Sequence, residues 1–208
     1  MAIDKDFSAA ALTWDEKPQR IHLAVAISSA IKQHITLRSD MHALEFGCGT
    51  GLVSFHLHDQ LQQVTAMDNA AGMLDVLKQK AQAAGVTNVD TLHNSAAVPT
   101  LDPDSYDLIF SSMVLHHVCE IRPTLQTLVR ALKPGGIIAL ADLDEEGGTF
   151  HDRSQGVEHH GIDRTWLHDE LTRLGIHDVQ ETTAHTITKK RAHGDQHYSV
   201  FMLWGRKG

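Results

Sequence analysis

One stretch constrains this chain more than any other: Ala43–Leu57, reading ALEFGCGTGLVSFHL. An apolar run passes through Glu45 and Phe46 into Gly47, Gly49 and Gly51, and a helical pattern follows at once. Glycines let a backbone approach a ligand closely, and the first turn of a helix offers unpaired N–H groups to an anion. The unit therefore reads as a strand, a ligand-gripping turn and a helix. A GxGxG run alone is common to several nucleotide-binding folds. Two details narrow it: Glu45 stands two residues before the first glycine, and Leu52 stands where the dinucleotide form GxGxxG needs a glycine.

From that unit onward, short apolar runs alternate with helical patterns, the rhythm of βαβ units and a parallel sheet. Strands are expected at Met41 to Phe46, Gln63 to Met67, Val89 to Leu92, Tyr106 to Ser111 and Gly136 to Ala141. Helices are expected in LVSFHLHDQL, in GMLDVLKQKAQAAG with its closing Gly85, and in RPTLQTLVRALKPGG, where Pro134 and the glycines stop it. An N-terminal helix is expected from Pro18, and another from Asp163 as N-cap to Gly175. Between Asp142 and Gly161 neither period holds, so about 20 residues read as a loop, of a length that is usually functional or mobile. VQETTAHTIT and HYSVFMLWGRKG read as a pairing couple of strands, with Lys189 to Asp195 as their solvated connection. The strand QQVTAMD ends in Asp68, 17 residues after Gly51, where an acid can accept both hydroxyls of a ribose.

These motifs, with SYDLIFSSMVLHHV (Ser105 to Val118) and LKPGGIIALADL (Leu132 to Leu143), resemble the class I S-adenosylmethionine-dependent methyltransferases of the small-molecule type. The likeness covers roughly Met41 to Leu143. It implies an α/β, Rossmann-like, doubly wound sheet of seven mostly parallel strands, with an antiparallel last strand and helices on both faces. It implies one domain over 1–208: a helical cap (1–40), a cofactor-binding core (41–143), then a substrate-side loop, helix and final strand pair (144–208). Carried residue by residue, it places Glu45, Gly47, Gly49 and Gly51 on the methionine moiety of S-adenosylmethionine and Asp68 on its ribose. Met73, Asn94 and Ser95 fall beside the adenine, and Ser111 at the amino-acid end. Asn94 stands where the family commonly has an acid, and Asn-Ser is also ordinary turn chemistry.

Several residues keep two readings. His116 and His117 follow the fourth strand as candidate catalytic bases, or serve packing; only one can point inward. Trp14 closes over the site or anchors the cap helix. Asp142, Asp144, Glu145 and Glu146 favour a cationic acceptor or are simply wet. His151, Asp152, His159 and His160 have no ligand spacing that physical chemistry singles out, so no metal is expected. Cys48 reads as a small residue packed behind the glycine turn, and two cysteines make no disulfide framework. A net charge of −8 disfavours nucleic acid as partner. No apolar run is long enough to span a membrane, and acids occupy the opening residues where a secretory leader carries bases, so a cytoplasmic chain, monomer or homodimer, is expected. The expected function is methyl transfer by in-line displacement to O or N of a small-molecule acceptor. The alternative is a non-catalytic module that binds the same cofactor for regulation or interaction.

Overall fold

The computed structural model describes residues 7–151, 156–191 and 194–208. The sheet explains the rest. Its strands are β1 (His42–Phe46), β2 (Gln63–Asp68), β3 (Val89–His93), β4 (Tyr106–Ser112), β5 (Leu132–Leu143), β6 (Ile176–Arg191) and β7 (Gly194–Lys207), in the order β3-β2-β1-β4-β5-β7-β6. β1 to β5 pair in parallel; β7 runs antiparallel to both its neighbours. Successive crossovers leave β1 in opposite directions, so a crevice opens at the carboxyl ends of β1 and β4.

Side-chain alternation along the strands builds a core on each face. Ala43, Val64, Leu108, Phe110 and Met202 point to one face, while Leu44, Met67, Ile109, Ile138 and Phe201 point to the other. After the one-turn α1 (Phe7–Ala10), the first face carries α2 (Pro18–His34), α3 (Leu52–Leu57) and α4 (Ala71–Ala84); on the second lie α5 (Ile121–Ala131) and α6 (Arg164–Arg173). The apolar faces of these helices explain why they form: Leu125, Leu128 and Val129 of α5, three and four residues apart, all lie buried. Gly85 ends α4 in the left-handed region, and the Asp163 carboxylate caps α6 on the Thr165 and Trp166 N–H groups, both as the sequence indicates.

Three boundaries differ from expectation. The helix expected over RPTLQTLVRALKPGG gives way to strand at Leu132, and β5 starts four residues early, with a register shift between Tyr106 and Leu108. The residue before a proline is pushed out of the helical region, so Lys133 cannot continue α5 toward Pro134. The solvated connection expected at Lys189 to Asp195 is largely strand: Lys189, Lys190 and Arg191 pair with Gln196, Asp195 and Gly194, while 192 and 193 lie outside the described residues. The loop after β5 is tied back on itself. Glu146 accepts from the N–H of Thr149 and Phe150 at 2.5 and 2.6 Å, Phe150 is buried, and Ile162 N–H reaches Leu143 at 2.8 Å.

Phe110 sits fully buried in the central strand. Phe110→Ala is expected to cost about 3 to 5 kcal/mol of unfolding free energy in a urea titration, whereas a loss below about 1 kcal/mol would remove it from the packed centre.

Candidate active site

The site begins with the turn out of β1. Gly47, Gly49 and Gly51 all take positive φ, at 72, 53 and 78°. The N–H groups of Gly47 and Cys48 bind the Met67 carbonyl at 2.8 and 2.9 Å, and the Gly49 N–H donates to the Asp68 carboxylate at 2.7 Å. A side chain on Gly47 would collide with the methyls of Val114, and one on Gly51 would meet Leu77 at 2.7 Å. At Gly49 only the Trp14 indole lies near, at 3.9 Å. The three glycines therefore divide the work: Gly47 and Gly51 let neighbouring elements pack, and Gly49 leaves open space.

That space belongs to a cavity of about 1490 Å³ at the carboxyl ends of the strands. Glu45, Gly47, Gly49, Asp68, Met73, Asn94, Ser95, His116 and His117 all line it, so most of the expected residues share one chamber. Gly51 and Ser111 do not line it. Gly51 sits behind the turn at the start of α3, and the buried Ser111 hydroxyl donates to the Phe46 carbonyl at 2.8 Å, tying β4 to β1. Strand alternation gives the reason: Ser111 faces inward, and the next residue, Ser112, reaches the cavity.

Two buried acids, Glu45 and Asp142, and the half-buried Asp68 shape the electrostatics. Burial lifts the Glu45 carboxyl to about 8, against hydrogen bonds from the Ser54 N–H at 3.1 Å and the Ser54 hydroxyl. Burial also raises Asp68, opposed by N–H donors from Ala70, Gly49 and Asn69. Burial alone would raise Asp142, but the adjoining His116 ring and two backbone N–H groups hold it below the ordinary carboxylate value. The His116 Nδ1 and Asp142 Oδ1 stand 2.5 Å apart, with both side chains wholly enclosed. Cys48 is buried in the turn yet lines the cavity rather than packing wholly behind it, and burial pushes its thiol up.

The acids after β5 depart from the expectation of a cationic acceptor site. Asp142 is spent on His116, Asp144 forms a two-point ion pair with Arg164 at 2.6 and 2.7 Å, and Glu146 caps its own loop; neither these nor Glu145 line the cavity. The loop set His151, Asp152, His159 and His160 does not assemble among the described residues: Asp152 lies outside them, and His159 Nε2 binds the Val118 carbonyl at 3.0 Å.

Other parts of the wall carry no strong sequence signal. Trp14 lines the cavity with the Arg20 guanidinium 3.3 Å over its ring. Its segment is pinned to the glycine turn by Asp15, which accepts from the Thr50 hydroxyl at 2.5 Å and the Lys80 ammonium at 2.6 Å. Met113, a non-glycine residue at φ 61°, also faces the cavity. Lys189, Lys190 and Arg191 bring the far hairpin to the chamber. These parts come from distant chain segments, which one-dimensional periodicity does not connect. Among the described residues, no helix is long and apolar enough to cross a membrane.

Glu45 holds a proton in the fold that the unfolded chain gives up, so its stabilising contribution is complete at low pH and is lost as pH rises through about 8. The difference in unfolding free energy between wild type and Glu45→Gln is expected to fall from about pH 5 to about pH 8. A constant difference over that window would show that Glu45 ionises normally.

Comparison with known proteins agrees with this geometry. Residues 44–140 match the family described as a methyltransferase domain. An uncharacterized methyltransferase of Schizosaccharomyces pombe is 32% identical over 140 residues, covering 60% of this chain and 49% of that protein. The malonyl-[acyl-carrier protein] O-methyltransferase of Serratia marcescens is 32% identical over 146 residues, covering 68% and 52%. The chain thus spans about half the length of these curated relatives. A SAM-dependent methyltransferase from Aquifex aeolicus shares the fold at a TM-score of 0.70, with 18% identity over 97% of this chain and 98% of that one. The strand order, the glycine turn and the acid at the tip of β2 agree with the match of residues 44–140 to the methyltransferase domain family.

Proposed function

We propose that the chain transfers the methyl group of S-adenosylmethionine to an oxygen or nitrogen atom of a small-molecule acceptor that carries an acidic group. The observation that carries the first part is the union of Asp68 with Gly49 at the crevice, beside the open space over Gly49. A nucleoside with a cationic side arm fits this donor set, because the crevice joins carboxylates to bare backbone in one chamber. S-adenosylmethionine, when bound, supplies a methyl group on a positively charged sulfur, open to in-line attack by a nucleophile.

The chain's own residues then orient and enclose. The Asp68 carboxylate accepts the Gly49 and Ala70 N–H groups at 2.7 and 2.8 Å, with the Asn69 N–H beside them, and keeps lone-pair capacity for a ribose hydroxyl. Met73 gives a buried apolar surface to the adenine, and Asn94 and Ser95 offer amide, hydroxyl and backbone groups to its edge. Glu45, Gly47 and Gly49 face the amino-acid arm. Gly51 and Ser111 act from behind, by seating α3 and by holding β4 to β1. His116 and His117 face the acceptor end. Trp14 and the hairpin exclude water, and alignment in a dry chamber is most of what this reaction needs.

The acidic acceptor is supported by charge. Five cations, Lys17, Arg20, Lys189, Lys190 and Arg191, line the cavity against four acids, Glu45, Asp68, Glu158 and Asp195, and burial keeps Glu45 protonated, so cations prevail there. The name of the Serratia relative, a malonyl O-methyltransferase, belongs with this reading.

Asp68→Ala is expected to weaken S-adenosylmethionine binding in calorimetry at least tenfold, about 1.4 kcal/mol, with the fold intact by circular dichroism. Unchanged affinity removes Asp68 from the site. In an acceptor panel read by S-adenosylhomocysteine release, carboxylate- or phosphate-bearing compounds are expected to turn over, and Lys190→Ala should raise their KM about tenfold with kcat little altered. Turnover confined to cationic acceptors contradicts the charge argument. Tight cofactor binding with no turnover across the panel favours a binding module.

A further inference from the structure

We propose that His116, His117 and His151 together bind one divalent transition-metal ion of the zinc class at the acceptor end of the cavity. His116 and His117 occupy the 3₁₀ turn after β4, and His151 comes from the loop after β5, 34 residues later in the chain. One ligand nitrogen from each lies within 4.8 Å of the other two. The ring centroids stand 4.0, 5.1 and 5.5 Å apart. Nitrogens bound at about 2.0 to 2.1 Å to a tetrahedral ion lie about 3.4 Å from each other, so small side-chain rotations close the set.

Proximity alone would describe a cluster; the second contacts of the rings describe a site. His116 Nδ1 is held by the Asp142 carboxylate at 2.5 Å, and that carboxylate is itself fixed by the Leu143 N–H at 2.7 Å. His117 Nδ1 meets the Gly156 carbonyl, which can only accept, so the proton of that ring lies on Nδ1. Both rings are thus anchored through Nδ1, which leaves Nε2 as the atom each can offer to an ion. A carboxylate or carbonyl behind a histidine is the usual outer support of a metal-bound imidazole, fixing both tautomer and ring plane. The His116 ring is 1% exposed, and its Nε2 has no hydrogen-bond partner among the described residues. The buried His116 ring lies beside the other two, and an ion held among the three rings would give its Nε2 a partner. A lone general base explains Asp142 and His116, but it gives no reason for two further imidazoles to converge on it.

Imidazole ligands suit zinc, copper, iron and nickel, and a site of three protein nitrogens leaves a further coordination position open. All three histidines line the cavity, so water or an oxygen of the acceptor can take that position. Only the identity of that last ligand rests on the methyl-transfer reading; the ion site stands on the histidine geometry. The histidine pair weighed as bases in the sequence is in this view two thirds of a ligand set, completed by a residue too distant in the chain for any spacing rule to connect.

The test uses the untagged full chain, stripped with chelator and titrated with cobalt(II) while visible absorption is recorded, with zinc content measured by mass spectrometry after dialysis. One ion per chain with ligand-field bands in the visible is the expected result. His151→Ala, which removes a half-buried loop residue, should weaken cobalt affinity at least tenfold, and Asp142→Asn about 10- to 100-fold. His160→Ala, in the same loop but outside the trio, should bind as wild type. Absence of stoichiometric cobalt, or equal affinity in wild type and His151→Ala, overturns the proposal. Calorimetry with S-adenosylmethionine on the stripped chain separates the two readings: cofactor binding without a metal site sinks only this inference, and a metal site without cofactor binding sinks only the methyl-transfer reading.

Discussion

The hydrogen bond from the Gly49 N–H to the Asp68 carboxylate joins the two strands on which the site depends. β1 and β2 lie side by side in parallel, and the chain must leave β1 through a tight turn whose backbone N–H groups cannot all be satisfied within the sheet. Asp68 at the tip of β2 answers one of them, and the Met67 carbonyl answers two more. The turn is thereby locked with Gly49 facing open space, while β4 on the other flank of β1 carries the chain away in the opposite direction. The crevice, its acid and its bare backbone are consequences of that one junction.

Burial of acids is the cost of this arrangement, and each acid meets it differently. Glu45 stays protonated beneath the turn, Asp68 is supported by backbone donors, and Asp142 is balanced by a histidine. An ionised carboxylate without such partners could not remain in a core of this kind. The three solutions leave a neutral acid and a hydrogen-bonded acid on the cavity wall and a histidine-paired acid behind His116.

Legibility in the sequence followed periodicity. The alternating strands, the glycine turn, Asp68, the Gly85 stop and the Asp163 cap are local patterns, and each stands where local chemistry places it. Orientation was less legible. Gly51 and Ser111 belong to the motifs but point away from the cavity, because a turn presents only some of its residues and a strand only every second one. The early start of β5 needed the constraint that Pro134 places on Lys133. What stayed hidden was assembly over distance: Trp14 set by the Asp15 link to Lys80 and Thr50, the Lys189 to Arg191 hairpin strand at the cavity wall, and His151 beside His116.

A crystal structure of the full chain soaked with S-adenosylhomocysteine tests the central claim most directly. The account predicts one molecule per chain in the crevice, its ribose hydroxyls on the Asp68 carboxylate and its amino-acid arm over Gly49. An empty crevice at saturating ligand, or a nucleoside seated away from Asp68 and Gly49, would contradict it.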